Sequence, residues 1–130
     1  MEPNSEKVLA WIEEQDFAEN LPLWKGWRET LTSHTRVKDD YSKGIVNGKP
    51  TCCLIYSMVL TATGERGEEE RYFLDRNSDA VQVCKEAFAL TAIGQVTTII
   101  NANDKEGLPF ETIVAALDRK IGELDVKETP

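Results

Sequence analysis

Apolar residues recur at helical spacing in the first and last thirds of the chain. An i, i+3, i+4, i+7 stripe, which places apolar side chains on one helix face, is strongest after Pro109. It consists of Phe110, Ile113, Val114, Leu117, Ile121 and Leu124. Shorter stripes predict a first helix capped by Asn4 or Ser5 and a second helix after Asn20. The sequence therefore predicts helices at both ends, with fraying over residues 126–130.

The middle of the chain has a pattern typical of β-strands. Asn47-Gly48 separates two extended-looking segments, and this pair favours a type I′ hairpin because both central positions need positive φ. Residues 38–46 and 49–63 are predicted to pair, and residues 70–75 to return as a third strand. Strict alternation along 49–63 would turn one set of side chains toward the helices. That set is Cys52, Leu54, Tyr56, Met58 and Leu60.

The remaining elements complete a predicted fold class. Asn77 or Ser78 is predicted to cap a further helix. Residues 95–101, "QVTTIIN", are rich in β-branched side chains and fit either a strand or a helix. The order of elements predicts an α+β fold, a short three-stranded antiparallel meander packed against N-terminal and C-terminal helices. No linker or repeat interrupts the pattern, so we expect a single domain over residues 1–130.

Charge and cysteine content narrow the class of protein. The net charge is -8, which disfavours nonspecific attraction to nucleic acid or to anionic membranes. No apolar run is long enough for a membrane span. The cysteine count is 3, an odd number, and no Asn-x-Ser/Thr acceptor occurs, which is typical of a reducing compartment. We therefore expect an acidic, cytoplasmic protein without a membrane partner.

Few residues offer catalytic chemistry. Cys52 and Cys53 would point to opposite faces of a strand, so they could not jointly hold a metal ion. Together with Cys84 they are predicted to be buried structural thiols. His34 is the single histidine, and an enzyme that uses Cys53 or His34 is one hypothesis. Because nucleotide-binding glycine motifs and metal-ligand spacings are absent from the sequence, we expect no catalytic residue, cofactor or metal.

Residues 25–49 reverse the charge, with six basic residues against three acidic ones, or +3. Basic and aromatic side chains together are typical of single-strand nucleic-acid binding. The candidates are Lys25, Arg28, Arg36, Lys38, Tyr41, Lys43 and Lys49. The predicted α-β-β-β-α order also resembles that of double-stranded RNA-binding domains, although the lysine cluster of that family's last helix is missing. Binding of single-stranded or structured nucleic acid is therefore an alternative hypothesis.

The preferred hypothesis is non-enzymatic binding of another protein. Small acidic domains can act as inhibitors, as immunity or anti-defence factors, or as assembly factors, and complementary charge then steers a basic partner. A homo-oligomer is a further option. The candidate partner-binding residues are Glu13, Glu14, Glu65, Glu68, Glu69 and Glu70.

Overall fold

The computed structural model describes residues 3–36, 45–46, 48–63, 79–90 and 93–128. Over these ranges the chain forms six helices and three short strands. The helices are α1 (Pro3–Glu14), α2 (Leu21–Ser33), α3 (Leu54–Thr63), α4 (Asp79–Ala87), α5 (Ile93–Asp104) and α6 (Phe110–Glu128). The strands are β1 (Thr35–Arg36), β2 (Ile45–Val46) and β3 (Lys49–Cys52). This content fits the predicted α+β class, with helices predominating.

The small sheet is mixed, so the prediction of a purely antiparallel meander is wrong. β3 lies between the other two strands, antiparallel to β2 and parallel to β1, which follows α2 directly. The predicted hairpin is confirmed, since Val46 pairs with Lys49. Gly48 has a φ of 79°, which glycine adopts without steric cost. Most of the predicted strand at 38–46 and all of that at 70–75 lie outside the described residues, as do Asn47, Asn77 and Ser78.

The largest correction concerns residues 54–63, which form helix α3 instead of the end of a long middle strand. All residues over 51–59 are buried, so alternation along this segment does not mark one covered and one open face. A segment that is apolar all round suits an enclosed helix, because its backbone groups pair internally. Its hydroxyls are satisfied nearby: Ser57 Oγ donates to Leu54 O, and Thr61 Oγ1 donates to Ser57 O. The α-β-β-β-α order itself persists in α2, β1, β2, β3 and α3, but the strands are short and the sheet is mixed, so the antiparallel meander behind the resemblance to RNA-binding domains is not formed by the described strands.

Helices α5 and α6 test the predictions made for the C-terminal half of the chain. Residues 95–101, which fitted either strand or helix, lie inside α5. The strongest apolar stripe is confirmed in α6, which begins directly after Pro109. Its buried side chains are Phe110, Ile113, Leu117 and Ile121. The helix continues to Glu128, residues 129–130 lie outside the described residues, and the fraying expected over 126–130 stays a prediction.

The N-terminus of α1 is capped from a distant part of the chain. Asn4 and Ser5 do not cap the helix from outside, because α1 begins at Pro3. Their backbone N–H groups donate to the Glu106 carboxylate at 3.0 and 2.7 Å, and the Ser5 hydroxyl donates to it at 2.9 Å. Desolvation acts to raise the pKa of Glu106, but these hydrogen bonds outweigh it and the pKa is lowered. One carboxylate thus fastens the turn after α5 to the start of α1.

The core is built around five aromatic rings. They are Trp11, Phe17, Trp24, Trp27 and Phe88. Trp24 stacks on Phe17 with ring centroids 4.4 Å apart. Trp27 Nε1 donates to Ser57 Oγ at 2.9 Å, whereas Trp11 Nε1 is buried without an acceptor among the described residues. Trp24 and Trp27 of α2 are therefore core residues.

Candidate functional site

Strand β2 forms an exposed apolar edge of the sheet. Ile45 is 73% exposed and Val46 is 42% exposed, and they are the large hydrophobic side chains that the described ranges leave open to solvent. In the order of the described strands, β2 is at an edge and pairs with β3. Edge strands offer backbone groups for further pairing, and exposed apolar side chains often mark contact sites. We call these two residues the β2 edge.

A groove beside the β2 edge runs between β1, β3 and the start of α6. It has a volume of about 380 Å³, and an adjoining hollow has about 310 Å³. The groove is lined by His34, Thr35, Arg36, Lys49, Gly107, Pro109, Phe110 and Glu111. Val46 pairs with Lys49, and its carbonyl accepts a hydrogen bond from Thr35 Oγ1 at 3.3 Å. The β2 edge therefore borders this sheet groove through Val46.

The two basic side chains of the sheet groove are held by the C-terminal ends of helices. Lys49 Nζ donates to Thr32 O, near the end of α2, at 3.1 Å. Arg36 Nη1 donates to Asn103 O, near the end of α5, at 3.1 Å. A cation in this position satisfies a carbonyl without a helical partner and is stabilised by the helix dipole. These two predicted nucleic-acid-binding residues thus cap helices of their own chain.

His34 lies in the same groove and is partly buried. Its Nδ1 is 2.8 Å from Thr30 O and 2.9 Å from Ser33 Oγ. Because a carbonyl oxygen only accepts, the contact with Thr30 assigns the proton to Nδ1. The ring is therefore fixed against the last turn of α2.

Arg28 and Lys25, the other described members of the predicted nucleic-acid-binding set, do not line the sheet groove. Arg28 forms ion pairs with Glu29 at 2.9 Å and with Asp118 at 3.2 Å. Its pKa is raised, chiefly by the hydrogen bond to Glu29. Lys25 is half-buried on α2. The remaining members of the predicted set, Lys38, Tyr41 and Lys43, lie outside the described residues.

Of the acidic residues predicted to bind a partner, the structure describes Glu13 and Glu14. Glu13 on α1 pairs with Arg119 on α6, and its carbonyl accepts a hydrogen bond from Lys120 Nζ at 3.0 Å. Glu14 is exposed at a groove of about 300 Å³ between α1 and α5. Glu65, Glu68, Glu69 and Glu70 lie outside the described residues. The structure thus places Glu13 in an ion pair between helices and leaves Glu14 open.

Glu111 is a charged residue of the sheet groove that the sequence reasoning missed. It is exposed, lies in the first turn of α6, and forms no hydrogen bond or ion pair within the described part of the chain. The signal available in the sequence is an acidic residue just after Pro109, where an anion suits the positive end of the helix dipole. That signal predicts a helix start and says nothing about the groove.

The cysteines are free thiols inside the protein, as predicted. Cys53 is 5% exposed, and burial raises its pKa to about 12. Burial also raises the pKa of Cys84. A thiol with a pKa of about 12 stays protonated at neutral pH, and the thiolate is the nucleophilic form. The environment of Cys53 therefore works against nucleophilic chemistry.

Within the described ranges, no group of three or more His, Cys, Asp or Glu side chains is placed to hold a metal ion. None of the helices in those ranges combines the length and apolar content needed to cross a bilayer. Comparisons of the chain with protein-family models, curated proteins and solved structures find no match. What the protein does must therefore be inferred from its own residues.

Proposed function

We propose that the protein is a non-enzymatic, single-domain interaction protein that binds a basic partner protein. In this role it acts as an inhibitor, an immunity or anti-defence factor, or an assembly factor. The β2 edge carries the proposal, because two adjacent aliphatic side chains on an edge strand stay exposed beside a groove. The net charge of -8 adds long-range attraction for a basic protein. Residues 65–70 stay candidates for the same partner on their charge alone.

The two competing functions have weaker support. Arg36 and Lys49 already donate to backbone carbonyls, so a nucleic-acid phosphate would compete with helix caps. A thiol enzyme would need Cys53 as a thiolate, and burial opposes that form. The β2 edge, in contrast, is exposed without any rearrangement of the described residues.

A matched pair of charge-adding variants tests the proposal. Ile45→Asp places a charge on the β2 edge, and Ala18→Asp adds the same charge at an exposed position between α1 and α2. After the partner is isolated from the source cells, calorimetry with the purified pair gives the dissociation constant. We expect I45D to weaken binding by about tenfold or more, as for a central apolar contact, and A18D to bind like the wild type.

Unfolding measurements serve as the control for this binding test. Urea unfolding should show both variants within about 0.5 kcal/mol of the wild type, since both positions are exposed. Equal affinity of the wild type and I45D for the partner would show that the β2 edge does not contribute to binding.

A titration of labelled single-stranded DNA and double-stranded RNA at low and near-physiological salt tests the alternative function, binding of nucleic acid. Micromolar binding that collapses with salt would favour nucleic acid instead.

A further inference from the structure

We infer that the sheet groove receives an extended segment of the partner, with aliphatic side chains against the β2 edge and a lysine or arginine paired with Glu111. This rests on the proposed function and specifies the chemistry of the partner segment. Three observations carry it: a strand at the edge of the sheet formed by the described strands, exposed aliphatic side chains on that strand, and an exposed carboxylate in the adjoining groove.

An edge strand can form main-chain hydrogen bonds with an extended polypeptide segment. Main-chain pairing with an edge strand contributes affinity, while alternate side chains contribute specificity. Val46 lies opposite Lys49 and Ile45 lies opposite Pro50, so the two aliphatic side chains point to opposite faces of the hairpin. Val46 therefore shares its face with Lys49, a groove residue. Because β2 is only two residues long, side-chain contacts must supply much of the specificity.

The hydrogen bonds around the groove select a cationic side chain. Arg36 and Lys49 each donate to a carbonyl near a helix C-terminus, where the partial negative charge offsets part of their own. In the adjoining hollow, Asp118 is paired with Arg28. Glu111 has no such contact among the described residues and lies in the first turn of α6. Its two carboxylate oxygens are therefore open to a donor from outside, which also suits a protein of net charge -8.

Fluorescein-labelled octapeptides of alternating valine and lysine, and of alternating valine and glutamate, are suitable probes for fluorescence anisotropy. We expect the valine–lysine peptide to bind more tightly than the valine–glutamate peptide, and Ile45→Asp to weaken its binding. Glu111→Gln should weaken it by about two- to fivefold, the range of an exposed ion pair. Glu123→Gln is the matched control, because Glu123 is also exposed on α6 but lies outside the groove. That variant should bind like the wild type.

The alternative outcomes each overturn the inference. Equal losses in E111Q and E123Q would mean diffuse charge attraction, and tighter binding of the valine–glutamate peptide would mean that the groove selects an anion. Failure of both peptides to bind would also count against it. If I45D no longer binds the natural partner but E111Q binds it like the wild type, the proposed function stands and this inference fails. If the partner binds equally to both variants, the proposed function fails as well.

Discussion

The two buried indoles Trp11 and Trp27 allow one matched test of how the core is held. Trp11 is 7% exposed and Trp27 is 0% exposed, so replacement by phenylalanine opens a comparable cavity at each site, at a cost of about 1–2 kcal/mol. The N–H groups differ. W27F deprives the buried Ser57 hydroxyl of its donor, whereas W11F removes an N–H that has no acceptor in the described structure.

The hydrogen-bonding contribution to the free energy of unfolding is expected to differ between W27F and W11F. Losing the hydrogen bond to Ser57, whose hydroxyl still donates to Leu54 O, costs about 0.5–1.5 kcal/mol, whereas removing the unsatisfied N–H of Trp11 recovers part of a desolvation cost of about 1–3 kcal/mol. We therefore expect W27F to lose about 2–4 kcal/mol of unfolding free energy and W11F about 0–1 kcal/mol. The expected difference, about 2 kcal/mol, combines the hydrogen bond lost between Trp27 and Ser57 with the relief of the unsatisfied N–H of Trp11.

Urea unfolding followed by far-ultraviolet circular dichroism measures this difference, since tryptophan fluorescence itself changes in both variants. The m-value should stay constant, so that midpoints report stability. Ser57→Ala provides the control: it should destabilise the wild type but add little in the W27F background, because the two residues share one contact. Equal destabilisation by W11F and W27F, or full additivity of S57A with W27F, would refute the reasoning.

Two further predictions concern the backbone and pH. The lowered pKa of Glu106 means that its contribution to stability is present above its ordinary pKa of 4.5 and is lost as the pH falls through the folded-state value. Glu106→Gln should therefore be less stable than the wild type at pH 7, with a gap in urea unfolding that closes below about pH 4.5; a gap that is independent of pH would contradict this. Gly48→Ala should cost about 1 kcal/mol because of its positive φ, whereas Gly122→Ala inside α6 should gain about that amount. Neither added Cβ meets another atom within 4 Å, so thermal melts that moved in the same direction would argue against a conformational cause.

The parts of the fold that were predicted correctly are those for which neighbouring residues form a clear pattern of apolar and polar side chains. Phe110 and Leu117 belong to a stripe with polar residues between them, so the covered face of α6 is visible in the sequence. Residues 54–63 carry no such contrast, because residues 54–59 are all buried and a period cannot be read from the segment. Its helical state depends on the helices packed around it. Glu106 shows the same limit at long range, since no local pattern links it to Ser5.

The candidate site is predictable to a similar extent. Asn47-Gly48 correctly indicates the hairpin and therefore where β2 ends. The exposure of Ile45 depends on what else packs on the sheet, and an apolar residue in a strand is ordinarily expected to be covered. Lys49 has the charge expected of a ligand-binding residue, but its partner is a helix carbonyl, which only the three-dimensional arrangement reveals. Positive charge in a sequence does not distinguish a helix cap from a ligand contact.

The Glu106 cap also bears on the order in which the chain folds. Helix α1 has 12 residues, a length at which an isolated helix is marginal in water. The N–H groups of Asn4 and Ser5 take their acceptor from a residue more than one hundred positions away, and closing so long a loop is slow. Helix α1 can therefore be completed only after α5 and the turn that follows it have formed. The first helix of the sequence is expected to be among the last to consolidate.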